Sequence, residues 1–91
     1  MTRLELMAKQ WHDRAYGKHV NLPATYSKLL EEVGELGEAL MIEDSSAVLE
    51  EAGDVGFVLM HIVRAAGKGN PSLAAAMAGA LQKNLGRLEE K

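Results

Sequence analysis

A chain of 91 residues has the size of one domain, and a lone domain this small buries only about 60 to 65% of the surface its unfolded chain exposes, so association with further copies would stabilise it. The absence of cysteine excludes a disulfide framework, a thiolate metal site and a thiol nucleophile, and leaves the reducing cytoplasm as the default compartment. A formal net charge of −3 argues against a nucleic-acid partner, and no stretch approaches the ~18 uncharged apolar residues of a membrane span or the apolar run of a signal peptide.

Thr2 followed by Glu5 is a capping-box pattern, and Leu4, Met7, Ala8, Trp11 and Ala15 recur at helical spacing until Gly17, which predicts a first helix over residues 3 to 16. After a polar connector, Pro23 suits a first helical turn, and the stripe Tyr26, Leu29, Leu30, Val33, Leu36 and Leu40 predicts a second helix from about 24 to 41. Asp44, Ser45 and Ser46 can cap a third, whose stripe from Val48 to Val63 runs to a stop at Gly67. Asn70 and Pro71 open a fourth, carried by Leu73, Met77, Leu81, Leu85 and Leu88. No segment has the alternation of a strand. The chain, residues 1–91, therefore reads as a single all-α domain, an antiparallel bundle of about four helices. Between Val55 and Ala66 the third helix is apolar on nearly all sides, which asks for more neighbours than one short chain supplies, so the core is expected to be completed by oligomerisation.

Residues 31–37, Glu-Glu-Val-Gly-Glu-Leu-Gly, match residues 50–56, Glu-Glu-Ala-Gly-Asp-Val-Gly, identically or by close equivalents. If helices two and three form a hairpin turning near residue 43, positions whose numbers sum to 86 lie level. That pairs Glu32 with Asp54 and Glu35 with Glu51, at two levels about 4.5 Å apart along the axis. By rotation Glu51 falls within the arc of Val55, Val58 and Ile62, and Glu32 at the edge of its stripe. Carboxylates ~5 Å apart repel by roughly 1 kcal/mol per pair in water and several times that near a protein surface, so a cation or shared protons must offset the clustering. A set of oxygen ligands alone suits Mg²⁺ or Mn²⁺. A di-iron carboxylate site would need Glu-x-x-His on two helices, which the chain lacks. Gly34, Gly37, Gly53 and Gly56 each cost ~1 kcal/mol against alanine within a helix, and the expected return is close helix packing, within the chain or between subunits.

Glu31-Glu32-x-x-Glu35 followed by Glu51-x-x-Asp54 resembles the signature of the MazG-like all-α nucleoside triphosphate pyrophosphohydrolases, in detail over helices two and three and loosely elsewhere. The resemblance implies cleavage between the α- and β-phosphates by a Mg²⁺-activated water. Glu32, Glu35, Glu51 and Asp54 would be the metal-binding and catalytic acids, and Glu31 would point elsewhere. On helix four, Asn84-x-x-Arg87 resembles the phosphate-contacting Asn-x-x-Arg of some members, although Ala80 stands where a basic residue is often found; Lys83 adds a second cation. Trp11, His12 and Tyr16 resemble the aromatic region by which relatives enclose a nucleobase, and core packing is the competing role for Trp11. His61 reads as a structural residue or an outer partner of the acids. The resemblance further implies a homodimer or homotetramer acting on free nucleoside triphosphates. A helical protein-interaction module with an acidic face, and a hydrolase of another phosphoanhydride such as (p)ppGpp, are the alternatives.

Overall fold

The computed structural model describes residues 2–17, 21–66 and 72–90. It is all-α, with four helices: α1 (Arg3–Tyr16), α2 (Leu22–Met41), α3 (Ser45–Ala66) and α4 (Leu73–Glu89). Each described start carries a side-chain cap of the kind its sequence offers. Thr2 Oγ1 accepts from the Glu5 amide at 3.1 Å, and Asn21 Oδ1 from the Ala24 amide at 3.0 Å. Asp44 Oδ1 takes the amides of Ser46 and Ala47 at 3.0 and 3.2 Å, and Ser72 Oγ that of Ala75 at 3.0 Å. Because Asn21 is the cap, α2 begins slightly earlier than its apolar stripe suggests, with Pro23 inside the first turn. α1 stops at Gly17, whose φ of 85° lies in the left-handed region that glycine adopts without a Cβ penalty. Gly67, Asn70 and Pro71, read as the stop of helix three and the start of helix four, lie outside the described residues.

The tight turn at Ile42 and Glu43 folds α3 back along α2, and this hairpin is the main packing unit. α1 lies along the second half of α3, held by Trp11 against Phe57 edge to face at 5.4 Å and by Arg64 donating to Asp13 at 3.0 Å. α4 is tethered differently. The Glu5 carboxylate does not only complete a local cap; it accepts from the Leu73 and Ala74 amides at 2.9 and 3.3 Å and so caps α4 from across the molecule.

Among the described residues the apolar core is thin: Ala39, Val58 and Met60 are buried, and no side chain falls below 2% exposure. The radius of gyration is 15.0 Å against the ~12 Å typical of a compact chain of this length. Large apolar side chains remain on the surface, among them Leu4, Leu49, Met77, Leu81 and Leu88. The glycine expectation fails within the chain: a Cβ added at Gly34, Gly37, Gly53 or Gly56 would meet no neighbouring atom within 4 Å. α2 and α3 meet on another flank, which leaves these glycines on open sides of the hairpin.

Candidate metal and nucleotide site

The α2–α3 hairpin brings Glu32, Glu35 and Glu51 together, with one carboxylate oxygen from each within 4.8 Å of the others. The i, i+3 spacing puts Glu32 and Glu35 on one face of α2, and the turn carries Glu51 of α3 level with them. Glu32 is buried, at 6% exposure, and the Oε2 atoms of both Glu32 and Glu51 are buried without a hydrogen-bond partner. Such orphaned acceptors are rare in folded proteins, because each forfeits its hydration and regains nothing. The negative charge of Glu32, followed by desolvation and the neighbouring Glu51, holds the Glu35 carboxyl above its usual range. Acceptor-only oxygens, mutual repulsion and unsatisfied lone pairs together fit a hard divalent cation. Asp54, expected level with Glu32, is exposed on α3 and is not part of this close group.

Lys28, one turn before Glu32, sets its ammonium 3.0 Å from Glu32 Oε1 and 3.7 Å from Glu31 Oε2. The bond to Glu32 and the charge of Glu31 raise its affinity for the proton. Sequence reasoning missed this lysine. Its i, i+4 spacing to Glu32 was the available signal, but the same spacing is common on solvated helices.

Lys28 also borders a cavity of about 410 Å³ whose other walls include Trp11, His12, Thr25, Phe57 and His61. The volume lies within the range of small-molecule sites, and the walls are mostly apolar. Trp11 and His12 line the cavity, with Trp11 also packed edge to face on Phe57, while the side chain of Tyr16 lies outside the described residues. His61 belongs to this aromatic side and not to the acid cluster: its ring lies 4.2 Å from that of His12 and 4.8 Å from that of Phe57. Phe57, unassigned from sequence, joins the two helices here.

Lys83, Asn84 and Arg87 are exposed on α4, and no ion pair among the described residues joins either cation to the acids. The Asn84 amide donates to Ala80 O of its own helix at 2.9 Å. Among the described residues no helix is long and apolar enough to cross a membrane.

No curated protein and no solved structure matches the chain significantly. The profile of the MazG nucleotide pyrophosphohydrolase domain matches residues 21–90, which takes in both acid motifs and α4 and leaves α1 with its aromatic residues outside. With most of its length and its clustered acids accounted for in this way, the chain belongs to the MazG nucleotide pyrophosphohydrolase family.

Proposed function

We propose that the protein hydrolyses nucleoside triphosphates, ribo or deoxyribo, to the monophosphate and pyrophosphate in a Mg²⁺-dependent reaction that Mn²⁺ can also support. The observation that carries this reading is the trio Glu32, Glu35 and Glu51 with two buried, unpartnered oxygens. These three would hold the metal, and Asp54, one turn beyond Glu51 on α3, would join them from the open side. The bound cation would neutralise charge on the triphosphate and acidify a coordinated water. A carboxylate of the set accepts the proton of the attacking water. Lys28, at the boundary between acids and cavity, is positioned to give up Glu32 and meet a phosphate oxygen.

The base would occupy the cavity against Trp11, His12 and Tyr16. Lys83, Asn84 and Arg87, which form no ion pair with the described acids of their own chain, would bind the phosphate tail from a second copy. That assignment agrees with the exposed apolar stripe of α4, which a homodimer or homotetramer would cover. Residues 1–91 would then act as one domain of a cytoplasmic nucleotide-pool enzyme.

Incubation with a panel of nucleoside triphosphates, with Mg²⁺ or EDTA, tests the reaction. Monophosphate plus pyrophosphate appearing only with metal is the expected result. Glu32→Gln and Asp54→Asn should each abolish turnover while keeping the helical signal. Turnover retained in Glu32→Gln would remove the metal-site reading, and retained turnover in Asp54→Asn alone would reduce the site to the three clustered glutamates.

A further inference from the structure

We infer that Lys28 couples metal to nucleotide by changing partners. Without metal it neutralises Glu32; with a divalent cation on that carboxylate it turns to a nucleotide phosphate held at the cavity. This rests on the nucleotide reading above and adds to it a dependence of each binding event on the other.

Three observations carry the exchange. The Lys28 ammonium lies 3.0 Å from Glu32 Oε1, and among the described ion pairs it is the only cation on the three clustered glutamates. The two partners differ in freedom: the Glu32 side chain is 8% exposed and the Lys28 side chain 53%, so the lysine can leave and the carboxylate cannot follow it. Lys28 also lines the 410 Å³ cavity with Trp11, Thr25 and Phe57, which puts it on both the cavity wall and the acid cluster.

Charge decides the order of events. With a divalent cation on Glu32, the Lys28 ammonium would face two positive charges, and like charges close together in a poorly hydrated site repel strongly. Lys28 must then move to another anion or to water. Glu31, 3.7 Å away, is 60% exposed, and an exposed pair of this kind contributes little. A phosphate oxygen takes a stronger, charge-assisted hydrogen bond from an ammonium. A nucleotide with its base in the cavity and its phosphates at the acids would bring such an oxygen to the side of α2 that carries Lys28. Linkage makes the effect reciprocal: metal frees the lysine for phosphate, and phosphate holds the lysine away from Glu32.

Isothermal titration of Mg²⁺ alone, and of inorganic tripolyphosphate in saturating Mg²⁺, reads both halves of the exchange without needing turnover. Lys28→Met should bind Mg²⁺ about tenfold more tightly than wild type, because the competing ammonium is gone, and tripolyphosphate about tenfold more weakly, because its partner is gone. The opposite signs are the signature. A lysine that served only the fold would weaken both, and a solvated lysine would move neither. A plain phosphate ligand would weaken tripolyphosphate with Mg²⁺ unchanged, and a mere competitor of the metal would tighten Mg²⁺ with tripolyphosphate unchanged. Each of these four results would overturn the inference. Lys28→Gln repeats the test should Lys28→Met fail to fold. Opposed shifts in a protein that cleaves no triphosphate would instead overturn the hydrolase reading and leave this one standing.

Discussion

α2 and α4 both carry a continuous apolar stripe, yet they pack differently. α2 lies against α3 with Leu29 and Leu36 partly buried and Ala39 and the Glu32 carboxylate buried, although Tyr26, Leu30, Val33 and Leu40 of its stripe remain exposed. α4 buries none of its described residues, and Met77, Leu81, Leu85 and Leu88 are all half exposed or more. The lesson is that amphipathic periodicity specifies a helix and a face, but not the surface that face will meet. On α2 the meeting buries Glu32 beside Glu35 and Glu51. On α4 the stripe stays exposed, and Lys83 and Arg87 with it.

The largest effect that would sharpen this contrast is expected at the seam. Glu51→Gln should lower turnover by about a hundred- to a thousandfold, as loss of a key electrostatic group does. The same variant should melt no lower than wild type without metal and should gain less than wild type from Mg²⁺, because both the repulsion and the site are reduced. A thermal scan with and without Mg²⁺ checks this, and a full metal-dependent gain in the variant would dissolve the distinction between the two helices.

On α4 the expectation concerns assembly. Leu81→Glu combined with Leu85→Glu should convert an oligomer to a monomer in sedimentation while leaving the Glu32 cluster intact. An active wild-type monomer at low concentration would break the comparison at its other end, since α4 would then need no partner.

Glu5→Ala probes how α4 is held. It leaves the Leu73 and Ala74 amides without their acceptor and should cost about 1 to 2 kcal/mol, seen as a lower melting temperature with Mg²⁺ affinity unchanged. If metal affinity fell in step, α4 would be coupled to the seam within one chain.

A pH dependence is expected on the aromatic side of α3. Folding holds the His61 pKa at about 4, below its ordinary 6.5. Above the upper value both states are neutral and the stability is fully present. As pH falls from there, the unfolded chain takes a proton that the folded chain refuses, and stability declines until the lower value is passed. Melting temperature should therefore drop across that window, and His61→Phe should flatten the decline.

Much of this was legible in the chain itself. The four helices follow from stripes and caps that are local: Thr2, Asp44 and the 3.6-residue period act within a few residues of each other, so no tertiary information is needed to read them. The pairing of Glu35 with Glu51 was legible too, because a short turn converts residue number into height along a hairpin. Other features depended on distance. Glu5 reads as a local capping residue, and only the approach of α4 makes it the cap of another helix. Lys28 looks like one more solvated charge until the fold puts it on a cavity. His61 looks like ordinary core until burial removes water from both its nitrogens and supplies nothing in return. The sequence by itself determined the secondary structure and the acid motif, because periodicity and capping are short-range forces written into neighbouring residues. Tertiary structure decided which polar groups would be buried, and with that which of them still need a partner, because desolvation depends on everything that packs around an atom and not on the residues beside it in the chain.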